Sequence, residues 1–128
     1  MKKALLILVI VTLTLLVLVG GGFAQKKPDV VGTWAGYAMV EGSQVDLTVV
    51  VEKGTTGYTG KISDATGMVP ETPLKNIVFN DGKLSFEFDM VTESILIKIE
   101  LTLENETLKG AWFDPDGNTD VIELTLKK

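Results

Sequence analysis

The chain contains no cysteine, no histidine and no arginine. The first absence excludes disulfides, a thiolate nucleophile, a thiolate metal ligand and a lipoprotein anchor on cysteine. The second removes the usual general base near neutral pH and the commonest metal ligand. Without arginine, the formal charge of −5 becomes −7 once Lys2 and Lys3 of the N-terminal leader are taken away. Such a chain lacks the basic face that phosphate contact requires, which argues against a nucleic-acid partner. Beyond the leader no stretch shows helical apolar spacing. Carboxylates do occur on strand-like stretches, as Glu87, Asp89, Glu100 and Asp120, but their parity is read as pointing outward. A solvated carboxylate keeps an ordinary pKa and makes a poor general acid. The expectation is therefore a protein that is not an enzyme and needs no cofactor.

What is present begins with an apolar leader. Lys2 and Lys3 precede the run Ala4 to Val19, and Gly22-Phe23-Ala24 forms a small-x-small site before Gln25. This pattern predicts a signal peptide over 1–24 as an N-terminal helix, cleaved before Gln25, and a secreted or periplasmic product. The alternative is an uncleaved anchor, the one route to a membrane, because Ala4 to Ala24 is long enough to span a bilayer. Residues 25–30 read as a linker containing Pro28, and 31–128 as one β domain.

Within that domain apolar residues alternate with polar ones in strand after strand. Trp34, Gly36, Ala38 and Val40 share one face, as do Val45, Leu47, Val49 and Val51. With Glu41 to Gln44 as the turn, the expected partners are Trp34 with Val51, Ala38 with Leu47 and Val40 with Val45. Tyr58, Gly60 and Ile62 continue the face, with Ile62 opposite Val49. Asn76 to Phe79 follows a long break, and Asp81-Gly82 is a two-residue turn signal that sets Phe79 against Leu84 and Ile77 against Phe86. Phe88 then meets Ile97, and Met90 meets Ile95. The next hairpin places Trp112 opposite Ile99 and Gly110 opposite Leu101, where a glycine leaves room for the larger side chain. Ile122, Leu124 and Leu126 are expected opposite Trp112, Gly110 and Leu108.

The fold class is therefore all-β, with eight sequential antiparallel strands forming an up-and-down barrel; the alternative is a two-sheet sandwich. Val45 to Gly67 and Ile95 to Gly117 also match at a constant offset of 50, with Gly60, Asp64 and Gly67 recurring as Gly110, Asp114 and Gly117. A duplicated unit or evenly spaced hairpins would each give this pattern.

The inner face is almost wholly hydrophobic, so a polar ligand inside would lose its hydration without compensation. The expected ligand is small and apolar, lined by Trp34, Phe86, Phe88 and Trp112, provided those side chains leave free volume. The competing expectation is a protein-interaction module that works through its outer surface, where Tyr37, Met39 and Val50 would neighbour Val121 if the first and last strands close. Asp114, Asp116, Asn118 and Asp120 place side-chain oxygens at alternate positions around Gly117, as hard-cation loops begin. An EF-hand loop wants glycine sixth and glutamate twelfth, whereas Gly117 is fourth and Thr125 twelfth. The loop is expected to be a hairpin turn with no metal.

Gly32-Thr33-Trp34 resembles the first-strand motif of the calycins, the group of small barrels that includes lipocalins, avidins and fatty-acid-binding proteins. The resemblance implies a secreted, lipocalin-like barrel whose tryptophan plugs the closed end beneath a basic side chain of the last strand, here Lys127 or Lys128. The lipocalin Thr-Asp pair is present as Thr119-Asp120, although in the final strand, and the family's C-terminal helix is missing. The avidin asparagine and serine positions hold Gly36 and Val40, so biotin binding is not implied.

Overall fold

The structure, a computed structural model, describes residues 29–128. The predicted signal helix, its cleavage site and residues 25–28 of the linker lie outside the described residues. Alternating side chains build nine strands: β1 (Gly32–Val40), β2 (Ser43–Lys53), β3 (Tyr58–Asp64), β4 (Thr72–Pro73), β5 (Lys75–Asn80), β6 (Lys83–Met90), β7 (Ile95–Glu104), β8 (Thr107–Phe113) and β9 (Thr119–Leu126). They form one antiparallel sheet in the order β4-β3-β2-β1-β9-β8-β7-β6-β5. Pairing of β1 with β9 joins the two ends of the meander, from Trp34 against Leu126 to Ala38 against Ile122. The result is a nearly closed barrel and not a sandwich.

The count is nine where eight were expected, because the fourth strand divides. Thr72–Pro73 pairs with β3, and from Lys75 onward the same segment pairs with β6. Pro73 has no N–H to give to a ladder. Asn76 adopts φ 50°, and the β5–β6 register shifts between Lys75 and Val78, a bulge that interrupts the expected continuation from Phe79–Leu84 to Ile77–Phe86. Leu74 lies at the crossover and donates its N–H to Gly60 O at 2.9 Å. The two open edges of the sheet are thus consecutive in the chain, and the seam is bridged covalently.

Two expected registers shift by two residues without changing parity. Glu41 (φ 51°) and Gly42 (φ 80°) make a tight left-handed turn, so Val40 pairs with Ser43, Ala38 with Val45 and Trp34 with Val49. Likewise β9 begins at Thr119, which places Ile122 opposite Gly110, Leu124 opposite Leu108 and Asp120 opposite Trp112. The outward placement expected of Asp120 is overturned for a separate reason: in any register it shares the inner parity of Ile122 and Leu124. The other central pairings are as expected: Ile62 with Val49, Phe88 with Ile97, Met90 with Ile95, Ile99 with Trp112, and Leu101 with Gly110.

The offset of 50 has a structural counterpart. A Cβ on Gly60 would lie 2.3 Å from Val50 O, and one on Gly110 would lie 1.9 Å from Glu100 O. Glycine is required at these places because the neighbouring backbone approaches closely, not because Leu101 needs room. In both hairpins the aspartate that follows closes the turn, Asp64 N donating to Val69 O and Asp114 N to Asn118 O, each at 3.0 Å. Gly67 and Gly117 take φ 82° and 88° within those turns.

The core is graded along the barrel. At the end where the chain enters, Val30, Trp34, Val51, Leu84, Leu108 and Leu124 are fully buried. Trp34 Nε1 donates to Val30 O at 2.9 Å, and Asp29 Oδ1 accepts from Val30 N at 2.7 Å and from Tyr58 Oη at 3.2 Å. Val30 therefore plugs the barrel, held in place by Asp29. The Lys128 ammonium pairs with Glu106 at 2.9 Å, while Lys127 ties β9 to β1 through its own N–H to Thr33 O.

Candidate functional site

At the opposite end the turn after β1, the loop after β3, and the turns after β6 and β8 surround a cavity of about 410 Å³. Its walls come from inner-parity residues in the mouth-side halves of the strands, including Ala38, Leu47, Ile62, Phe88, Ile97 and Ile122. Ala38 contributes because its side chain is short where other strands carry branched residues. Volume is therefore left that the closed end fills with Trp34 and Phe86. The loop 65–71 folds over one side: Val69 is buried, Met68 lines the opening, and Thr92 Oγ1 donates to Met68 O at 3.0 Å across the seam.

The structure separates the four aromatics expected to line the interior. Phe88 and Trp112 border the cavity, whereas Trp34 and Phe86, each 1% exposed, are packed on the closed side and do not reach it. Trp112 is half-buried, and its Nε1 donates to Met39 O at 2.8 Å. The β1–β9 ladder ends at Ala38–Ile122, and beyond it the indole of Trp112, whose cross-strand partner is Asp120, reaches from β8 to the β1 backbone.

The rim is acidic. Glu41, Asp64, Glu93, Asp114 and Asp120 line the cavity mouth, with Asn118 and Thr119 beside them, and no lysine lines it. Burial pushes the Asp64 carboxyl up, but hydrogen bonds from the Thr66 hydroxyl and from the N–H groups of Val69, Gly67 and Met68 outweigh it and hold the group below the usual carboxylate range. The Asn118 side-chain amide, helped by the N–H groups of Asn118, Asp116 and Gly117, outweighs desolvation and holds Asp114 low as well. Both carboxyls are thus ionised at neutral pH. Asp120 Oδ1 accepts from Val121 N at 2.8 Å.

Some carboxylates elsewhere have lysine partners. Lys61 pairs with Glu71, Lys75 with Asp89, Lys98 with Glu87 and Lys109 with Glu123 along the outer wall. Among the described residues none of the five rim carboxylates has such a partner, so the mouth carries concentrated negative potential over an apolar interior.

The Asp114 to Asn118 loop is organised by its own hydrogen bonds. Asp114 Oδ1 accepts from Asp116 N at 3.0 Å and Asn118 N at 2.8 Å, and Oδ2 accepts from Asn118 Nδ2 at 2.8 Å. These are the bonds of an Asx-type turn. Among the described residues no three carboxylates converge as a metal centre requires.

Sequence parity marked the inward residues, but it did not mark depth. Ala38, Leu47, Ile97 and Ile122 were legible as interior without being distinguishable from the plug residues. Glu41 and Glu93 were missed because turn residues carry no parity, and Asp64 because it falls in the break expected after the third strand, whereas it ends β3 with the parity of Ile62. The available signal was that these acids all fall at alternate connections, which an up-and-down barrel collects at one end. No protein-family model matches the chain and no curated protein matches its sequence, so the assignment of the site rests on this geometry.

Proposed function

We propose that this chain is a calycin-like binding protein, secreted or periplasmic and without enzymatic activity, that holds a small apolar molecule or moiety in the mouth-side cavity. The observation that carries the reading is the cavity itself: about 410 Å³ lined by aliphatic residues, Phe88 and Trp112, against the roughly 300 Å³ at which small-molecule sites begin. Burial of apolar surface at about 25 cal/mol per Å² supplies the driving force. The closed end contributes rigidity, which lowers the ordering cost of binding. The absence of histidine and cysteine, together with the rim carboxylates Asp64 and Asp114 held ionised, supports carriage over catalysis.

The test is titration with the neutral fluorophore N-phenyl-1-naphthylamine. The wild type should enhance its emission saturably, and Ala38→Leu, which narrows the cavity with a longer aliphatic chain, should weaken the enhancement while the far-ultraviolet dichroism is retained. An unchanged titration in a folded Ala38→Leu protein would place the fluorophore elsewhere and overturn the reading.

A further inference from the structure

We propose that the occupant is a cationic amphiphile, its apolar body among Leu47, Phe88, Ile97 and Ile122 and its ammonium head at the rim beside Asp120, Glu93 and Trp112. The inference rests on the binding function proposed above and specifies the class of ligand.

Charge complementarity selects the head group. Five carboxylates border the mouth and no lysine does, so an anionic head entering tail-first would stop among like charges at reduced dielectric, where repulsion is stronger than in bulk water. Two of the rim charges are also fixed. Asp64 and Asp114 are stabilised as anions by donors of their own loops, and Lys61, Lys75, Lys98 and Lys109 of the outer wall are engaged with other carboxylates. An ammonium group would supply the countercharge that the fold withholds from this end.

The choice between an organic cation and a metal ion follows from how the acids are arranged. They are distributed around the opening and do not converge in a group of three. Asp114 has both oxygens turned to its own loop. A divalent ion would lack its oxygen shell, whereas a diffuse ammonium needs only a negative field and an adjacent aromatic surface. Trp112 provides that surface. Its indole is anchored through Nε1 to Met39 O and it lies across the ladder from Asp120, a pairing of ring and carboxylate suited to alkylammonium recognition. The apolar wall below the rim then rewards a chain, so a small cation alone would leave the cavity unfilled.

The experiment is competition against N-phenyl-1-naphthylamine by three probes with the same tail, decyltrimethylammonium, decanol and decanoate, at pH 7, low salt and concentrations below micelle formation. The cation should bind tightest and decanoate weakest, the two differing by about tenfold or more. Raising the salt should shrink that difference. In the Glu93→Gln/Asp120→Asn double variant the advantage of the cation should fall while decanol affinity stays the same, the latter showing that the cavity is intact. Equal binding of all three, or preference for decanoate, would overturn the cationic assignment and leave the apolar-carrier reading standing. Failure of all three to displace the fluorophore would overturn both.

Discussion

The two ends of this barrel are built from the same alternating strands and differ in what fills them. At the closed end Val30, Trp34, Leu84 and Leu108 are fully buried against one another. At the mouth the corresponding inner positions carry Ala38, Leu47 and Ile97 around open volume, and the connections bring in acids. One end converts side-chain volume into stability, while the other gives up packing and holds charge without partners. Stability and recognition are thus separated along the barrel axis, and substitutions at the two ends should have different readouts.

The largest expected effect is at the plug. Trp34→Ala should cost about 3–5 kcal/mol in chemical denaturation, since it empties a fully buried site and orphans the Val30 carbonyl. Trp112→Ala, at the half-buried mouth, should cost only about 1–2 kcal/mol while weakening decyltrimethylammonium binding. Equal stability losses at the two tryptophans would break the comparison.

The paired glycines give the next effect. Gly110→Ala and Gly60→Ala each force a Cβ against a neighbouring carbonyl and should cost about 1–3 kcal/mol, more if the strand cannot shift. Gly117→Ala, at φ 88° but with open space around it, should cost about 1 kcal/mol. A Gly110→Ala protein as stable as wild type would show that the close approach relaxes freely.

The smallest effect is on acid stability. Asp64 and Asp114 are more acidic folded than unfolded, so as pH falls the unfolded chain takes up their protons first. Their contribution is intact above the ordinary carboxylate pKa of about 3.9 and is lost as pH drops through that value toward the lower folded ones. Asp64→Asn should flatten the slope of stability against pH below about 5, leaving the slope near neutrality unchanged. A flattening confined to neutral pH would contradict the assignment of these loops.

Much of the architecture was legible because parity survives error. The β1–β2 and β8–β9 registers each moved by two residues, yet Trp34, Ala38, Ile122 and Leu124 remained on the inner face, since a shift of two preserves the pleat. Asp120 is the instructive exception: its parity was read as outward together with that of Glu87, Asp89 and Glu100, although in the sequence it has the parity of Ile122. The ninth strand was hidden because Pro73 and the left-handed Asn76 divide a segment whose partner changes at Leu74. The cavity was not legible at all. Its existence depends on which end of each strand faces the plug, and that is decided by the closure of β1 on β9 and by Val30 entering the core.

The most direct test of the separation between plug and mouth is backbone amide NMR of the isotopically labelled protein titrated with decyltrimethylammonium below its micelle concentration. Saturable shift changes should concentrate at Ala38, Leu47, Glu93, Ile97, Trp112 and Asp120, with the Trp112 indole N–H moving and the signals of Val30, Trp34, Leu84 and Leu108 unchanged. Changes centred on the plug residues, or on the outer faces of the strands with the Trp112 indole unmoved, would contradict the account.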